Sequence, residues 1–273
     1  MIRKIHLDYL NSGANVITTA AFRTNREAVR TTCSPDENVV AKARQLTQLA
    51  VSLANEAVAA YKRAHPKEKR AIEIAGNLTA LNDTYMPELA PNTKVCREEH
   101  REKIKHLVEG KRIQIVLGET LNTVREAVGF LQAAQDVLSG MRNSGIRVWV
   151  SFVCKDQGQI LDGTPFNEVI DHIARYKPEA ILVNCCYWDK VLAALHLANQ
   201  ARAKNFLLGG YSNAEIPFPK AGEAWFRPHW LTTDVFRKNI HSWLKHGVSI
   251  IGGCCGTRPR DIRTLKDLIT ANS

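Results

Sequence analysis

The segment Val248-Ser249-Ile250-Ile251-Gly252-Gly253-Cys254-Cys255-Gly256-Thr257 is a short β-branched apolar run that ends in two glycines, two adjacent cysteines and a third glycine. An unbroken run of this kind is the pattern of a fully buried parallel strand. Glycines around a cysteine pair permit a tight turn in which the backbone crowds a bound ion or ligand. The residues that follow signal a helix: Pro259 suits a first-turn position, Asp261 complements the positive end of the dipole, and Ile262, Leu265, Leu268 and Ile269 recur at helical spacing. The Cys254 and Cys255 thiols therefore stand where a strand ends and a helix begins.

Upstream, the same alternation repeats. Apolar runs predict strands over 14–19, 71–77, 113–117, 148–153, 180–184 and 205–209, and helical periodicity falls over 2–12, from about 35 onward, and over 94–109, 122–142, 166–175, 188–203 and 232–246. Strands alternating with helices argue a parallel sheet covered by helices, and no Gly-x-Gly-x-x-Gly follows any strand, which disfavours a dinucleotide fold. Seven βα units are one short of a (β/α)8 TIM-type barrel, the α/β architecture expected here as a single domain over residues 1–273. Active sites of such barrels lie at the carboxyl ends of the strands. Those ends carry Thr18 and Thr19, Asn77, Glu119, Ser151, Asn184 and Cys185, Tyr211 and Asn213, and Cys254 and Cys255, together one polar, thiol-rich mouth. The long loop after the second strand, with Asn82, Asp83, Tyr85, Pro87 and Pro91, has the length of a functional loop.

Composition narrows the classes. At 45% hydrophobic and 23% charged, the chain is of ordinary globular type. It has no apolar run long enough to span a bilayer and no secretory h-region, so the expectation is a cytoplasmic protein without a membrane partner. The formal charge of +10 raises nucleic-acid binding, but the densest basic run, residues 62–70, has no aromatic interleaving beyond Tyr61 and reads as a solvated loop. No nucleic-acid partner is expected. Seven cysteines, four of them in the adjacent pairs Cys185-Cys186 and Cys254-Cys255, make a poor disulfide framework.

Cys185 with Cys254 and Cys255 offers what a catalytic zinc site needs, three protein ligands and an open tetrahedral position. Soft sulfur selects zinc (Zn2+) over magnesium or calcium, and the open position suits a substrate that is itself a thiol, activated as thiolate. Cys186 points the other way on a strand and reads as packing, while Cys33, Cys96 and Cys154 read as small hydrophobes. The histidines are scattered away from strand ends, so none is assigned as a ligand. Glu119, straight after an apolar strand, reads as a site carboxylate; Asp83 and Asn213 fit a site or a turn equally. Trp225, Trp230 and Trp243 read as packing in preference to a cage for a cationic donor.

Several of these stretches resemble the homocysteine S-methyltransferase family of zinc-dependent (β/α)8 barrels. Gly252 to Thr257 with Pro259 and Asp261-Ile262-Arg263 resembles its cysteine-pair signature, and Asn184-Cys185 resembles its Asn-Cys motif. Gly13 to Thr19 is similar to its second-strand motif, Glu119-Thr120 to its fourth-strand motif, and Tyr211-Ser212-Asn213-Ala214 to its seventh-strand Tyr-Pro-Asn-Ala motif. The resemblance runs along essentially the whole chain. It implies methyl transfer to homocysteine sulfur, giving methionine, with zinc on Cys185, Cys254 and Cys255. It also implies Glu119 at the homocysteine amino group and Thr18, Thr19 and Asn213 near the substrate. Partners would be homocysteine and a methyl donor of the S-methylmethionine, S-adenosylmethionine or betaine type.

The chain departs from the family at two places. The family's first strand carries an Asp-Gly motif, and this chain starts after it, so the expectation is a barrel truncated at its N-terminus. An exposed gap in such a barrel favours a partner chain, a homo-oligomer. The polar residues after the family's Thr-Thr are Ala20 and Ala21 here. The reading opposed to the enzyme is a truncated, inactive zinc-binding barrel; a redox protein built on the adjacent Cys254 and Cys255 is disfavoured by the strain of that ring.

Overall fold

Seven runs rich in Val, Ile and Leu pair side by side: β1 (Val16–Thr18), β2 (Glu73–Thr79), β3 (Ile115–Leu121), β4 (Arg147–Phe152), β5 (Ala180–Asn184), β6 (Leu207–Ser212) and β7 (Val248–Gly253). Every ladder is parallel, and the spatial order equals the chain order. The computed structural model describes residues 1–35, 37–110, 112–141, 145–203, 205–214 and 233–271. The helices are α1 (Ile2–Asn11), α2 (Arg26–Arg30), α3 (Val39–Ala64), α4 (Thr93–Val108), α5 (Val124–Leu138), α6 (Phe166–Ile173), α7 (Trp188–Ala198), α8 (Thr233–Lys245) and α9 (Pro259–Ala271). This is the α/β barrel sheet, seven strands wide. Among the described residues β1 and β7 are its two edges and are not laddered to each other. No described helix is long and apolar enough to cross a membrane.

Two differences from the sequence reading bear on the site. The strands β2, β3 and β6 run further toward their carboxyl ends than the apolar runs predict, so Glu119, Thr120, Tyr211 and Ser212 are strand residues and not loop residues. Ladder pairing explains it: Thr79 pairs with Glu119 and Ser212 with Gly253, and a neighbouring strand overrides local polarity. The short helix α2, which the sequence reading did not include, follows the polar loop after β1.

The alternation of side chains splits the interior into two layers. The larger core lies between sheet and helices, with Phe130, Phe152, Phe166, Leu195 and Trp243 all buried. The smaller lies inside the sheet's curve and is built from Ala75, Ile115, Leu117, Trp149, Ala180 and Leu182. Asn77, Glu119, Ser151 and Asn184 each stand two residues beyond a member of that inner cluster, and so project on the same face at its carboxyl end. The chain's two ends are joined beside the open edges: α1 packs on α9, and the Tyr9 hydroxyl donates to the Thr257 carbonyl at 2.7 Å.

One buried charge in this layer was not legible as such. Lys103, on the inner face of α4, is 3% exposed and donates from Nζ to the Ala21 carbonyl at 2.6 Å and to the Thr24 hydroxyl, pinning the loop after β1. Burial depresses its pKa to about 7 from an ordinary 10.5. Between those values the unfolded chain holds the proton that the folded chain has lost, so stability rises with pH across that window, and the full cost of the buried charge is present below it. Relative to Lys103→Met, the native protein is expected to gain about 1 kcal/mol per pH unit from pH 7.5 to 9.5. Thermal unfolding of both proteins at several pH values measures it, and parallel pH dependences would contradict the assignment.

Candidate metal centre

The chain leaves β5 at Asn184 and turns at Cys185, which has a left-handed backbone with φ of 56°. Such a conformation is strained for a non-glycine residue and is sustained by its surroundings. Here the Cys185 N–H reaches the Tyr211 carbonyl at 3.4 Å on the next strand. At the end of β7, the Cys254 N–H donates to the Ser212 carbonyl at 2.9 Å, the Ala214 N–H to the Cys255 carbonyl at 2.7 Å, and the Thr257 N–H to the Cys254 carbonyl at 3.0 Å. Gly253 is required by this turn, since a Cβ there would lie 2.2 Å from the Thr257 methyl. Folding β5, β6 and β7 side by side thus gathers thiols that are about 70 residues apart in the chain.

Cys185 Sγ lies 3.7 Å from Cys255 Sγ, and the sulfurs of Cys185, Cys254 and Cys255 all lie within 4.8 Å of one another. A tetrahedral zinc with bonds of about 2.3 Å places its sulfurs about 3.8 Å apart. The cluster therefore fits such an ion, and among the described residues no histidine or carboxylate joins it, which leaves a fourth direction for a ligand from outside. The thiols titrate as a set. Cys255 is pushed down by hydrogen bonds from Cys185 and Cys254. Cys254 is pushed up by its hydrogen bonds to Cys185 and Cys255 and by burial. Cys185 is lowered by its bond with Cys254 but raised overall through Cys255 and burial. One thiolate forms readily and the other protons leave only if a cation replaces them.

Two polar chains line the mouth beside the sulfurs. In the first, the Thr19 hydroxyl donates to Asn77 Oδ1 at 2.9 Å, and Asn77 Nδ2 donates to Glu119 Oε2 at 2.9 Å. Glu119 is buried, and desolvation pushes its pKa up while the Asn77 bond opposes that rise. The Tyr211 hydroxyl lies beside Glu119 and Ser151, and among the described residues it has no partner at hydrogen-bond geometry. In the second, the Ser151 hydroxyl donates to Asn184 Oδ1 at 2.6 Å and Asn184 Nδ2 donates to the Thr120 hydroxyl at 2.8 Å. Thr120, with φ of 61°, is the other strained residue of the mouth and sits at an irregularity where the β3 to β4 register shifts.

Of the residues expected at the site, Cys185, Cys254, Cys255, Glu119 and Thr19 are brought into this mouth. Asn213 is there too, its Oδ1 accepting from the Cys255 N–H at 3.2 Å. Thr18 stands exposed at the open edge of β1. Asp83 closes a local turn, accepting from the Tyr85 N–H at 2.8 Å. Cys186 is buried beside Cys154, and Trp243 packs in the helix layer; Trp225 and Trp230 lie outside the described residues. The residue whose place at the centre the sequence did not indicate is Tyr85, whose hydroxyl meets Cys185 Sγ at 3.0 Å. Burial first, and then Cys185, push its pKa up.

A family profile described as homocysteine S-methyltransferase matches residues 1–269. The chain is 25% identical over 273 residues to a homocysteine S-methyltransferase of Escherichia coli (strain K12), covering 97% of this chain and 83% of that relative. It is 24% identical to a selenocysteine methyltransferase of Astragalus bisulcatus, covering 99% of this chain and 83% of the relative. Among solved structures, the metallated form of the Escherichia coli homocysteine methyltransferase MmuM superposes with a TM-score of 0.77 at 24% identity, covering 99% of this chain and 84% of that chain.

Proposed function

The chain belongs to the homocysteine S-methyltransferase family, and we propose that it transfers a methyl group to the thiol of homocysteine, forming methionine, with Cys185, Cys254 and Cys255 holding a zinc ion. The single observation that carries this reading is the cluster of three sulfurs within 4.8 Å at the mouth, across from a buried carboxylate. When bound, zinc supplies Lewis acidity that keeps a thiol ionised near neutral pH. Glu119 would pair with the ammonium group of homocysteine, a charge-assisted contact that desolvation strengthens. Thr19 and Asn77 hold that carboxylate in place, Asn213 holds the turn at Cys255, and Thr18 flanks the substrate from the β1 edge.

In the transfer, the substrate sulfur forms a bond to the methyl carbon as the carbon's bond to a sulfonium sulfur or quaternary nitrogen breaks in line. The electron pair departs with the neutral sulfide or amine, and the thiol proton has already gone to solvent. The name of the Escherichia coli relative supports homocysteine as acceptor. The whole chain acts in this reading as one barrel domain.

The test is metal content and methionine formation on the same purified protein, with S-methylmethionine, S-adenosylmethionine and betaine offered separately. About one zinc per chain and methionine from at least one donor is the expected result. Zinc without turnover on any donor would favour the binding-only barrel, a reading that the unladdered edges of β1 and β7 also suit. Protein without zinc would overturn the proposal.

A further inference from the structure

We propose that Tyr85 is a positioning residue of the metal centre, giving a hydrogen bond to the Cys185 sulfur that fixes this ligand and offsets the negative charge of the site; the inference rests on the reading of the three cysteines as ligands.

The contact crosses the mouth. Tyr85 lies in the connection between β2 and α4, Cys185 ends β5, and the two are 100 residues apart in the chain. The phenol oxygen is 3.0 Å from Cys185 Sγ and 3.4 Å from the Cys185 carbonyl. This is the shortest hydrogen bond that any described residue gives to the three sulfurs; Asn184 Nδ2 approaches Cys254 Sγ only to 4.0 Å. The ring does not arrive by chance collapse of a loose loop. The Tyr85 N–H is turned onto Asp83 Oδ1 at 2.8 Å, the Asp83 carbonyl accepts from Asn122 Nδ2 at 2.8 Å, and the Pro87 carbonyl accepts from Arg125 at 3.0 Å. Two residues at the junction of β3 and α5 thus clamp the loop on either side of the tyrosine.

The chemistry of the donor set supplies the need. A dication held by three thiolates has a formal net charge of minus one, and a thiolate substrate makes the site more negative still. Among the described residues no lysine or arginine donates to these sulfurs, so neutral donors must carry the compensation. A hydroxyl on one ligand sulfur draws charge from it and stops the sulfur from rotating off the metal. Outer-shell partners of this kind change metal affinity by about 10–100-fold when removed.

Tyr85→Phe removes the hydroxyl and keeps the ring. Cobalt(II) is the probe, because its sulfur-to-metal charge-transfer band reports the ligand sulfurs directly. Against a competing chelator, the variant is expected to bind cobalt(II) about tenfold more weakly than the native protein, with a displaced charge-transfer band. In metal-free protein, alkylation of Cys185 read by peptide mass mapping is expected to be faster in the variant, with buried Cys96 unaffected. Asp83→Ala frees the turn while leaving the phenol, and is expected to weaken cobalt binding in the same direction by a smaller factor; it decides the matter if Tyr85→Phe does not fold. Native protein that binds cobalt while the variant matches it in affinity and band would overturn the role of Tyr85 alone. Native protein that binds no cobalt would overturn the metal reading beneath it.

Discussion

Cys254→Ser is expected to lose bound metal and methyl transfer together. Apparent binding free energies of sulfur-rich zinc sites are about 10–16 kcal/mol. Removing one of three protein sulfurs should therefore cost about 3–5 kcal/mol, or roughly 10²- to 10⁴-fold in affinity. Desalted variant should emerge with little metal, and methionine formation should fall below detection. Cys186→Ser is the control that makes the result specific. Cys186 is as deeply buried as Cys185 and adjacent to it, yet it faces Cys154 and stands outside the sulfur cluster. Burying a serine hydroxyl there should lower the melting temperature while leaving metal content near that of the native protein. Equal metal loss in both variants would mean that the effect is unfolding and not ligation.

Glu119→Gln should make the protein more stable and much less active. Glu119 is 8% exposed and its pKa is raised by desolvation, so it holds a proton more readily in the folded chain than in the unfolded one. The folded state is therefore penalised at pH values above the raised pKa, and the penalty fades as pH falls back toward the ordinary carboxylate range. An amide keeps the hydrogen bond from Asn77 Nδ2 and carries no charge, which should stabilise the substrate-free protein at pH 7–8 by about 1–2 kcal/mol. For a chain of this size that is an upward shift of about 2–4 °C per kcal/mol. The same change removes the anion opposite the substrate ammonium, and kcat/KM for homocysteine should fall about 100-fold, mostly through KM. Melting curves and steady-state kinetics on the same preparation check both halves. Unchanged kcat/KM would place the amino group elsewhere, and a lower melting temperature would mean the carboxylate is paired in the free protein.

The two predictions share a cause. The mouth carries a desolvated carboxylate at one side and a set of crowded thiols at the other in the free protein. Both features cost stability, as do the left-handed backbones of Thr120 and Cys185. Strain and unpaired charge concentrated where substrate would bind are the expected signature of a site that is completed only by its ligands.

Much of this was written in the chain itself. Strand and helix periods, turn glycines and residue softness are properties of neighbouring residues, and they were enough for an alternating α/β sheet of the barrel type, for the seven strands, and for bringing Cys185, Cys254 and Cys255 to one mouth. The local patterns failed where a neighbour strand took over: Glu119 and Tyr211 read as following their strands because polar side chains end an apolar run, whereas ladder pairing carries the strand through them. The sequence was silent on contacts between distant positions. Only the tertiary structure puts Tyr85 on a sulfur 100 residues away, ties Glu119 to Asn77, and buries Lys103 under the loop after β1. Those distances depend on the register of parallel strands and the curvature of the sheet, and no residue carries that information in its own neighbourhood.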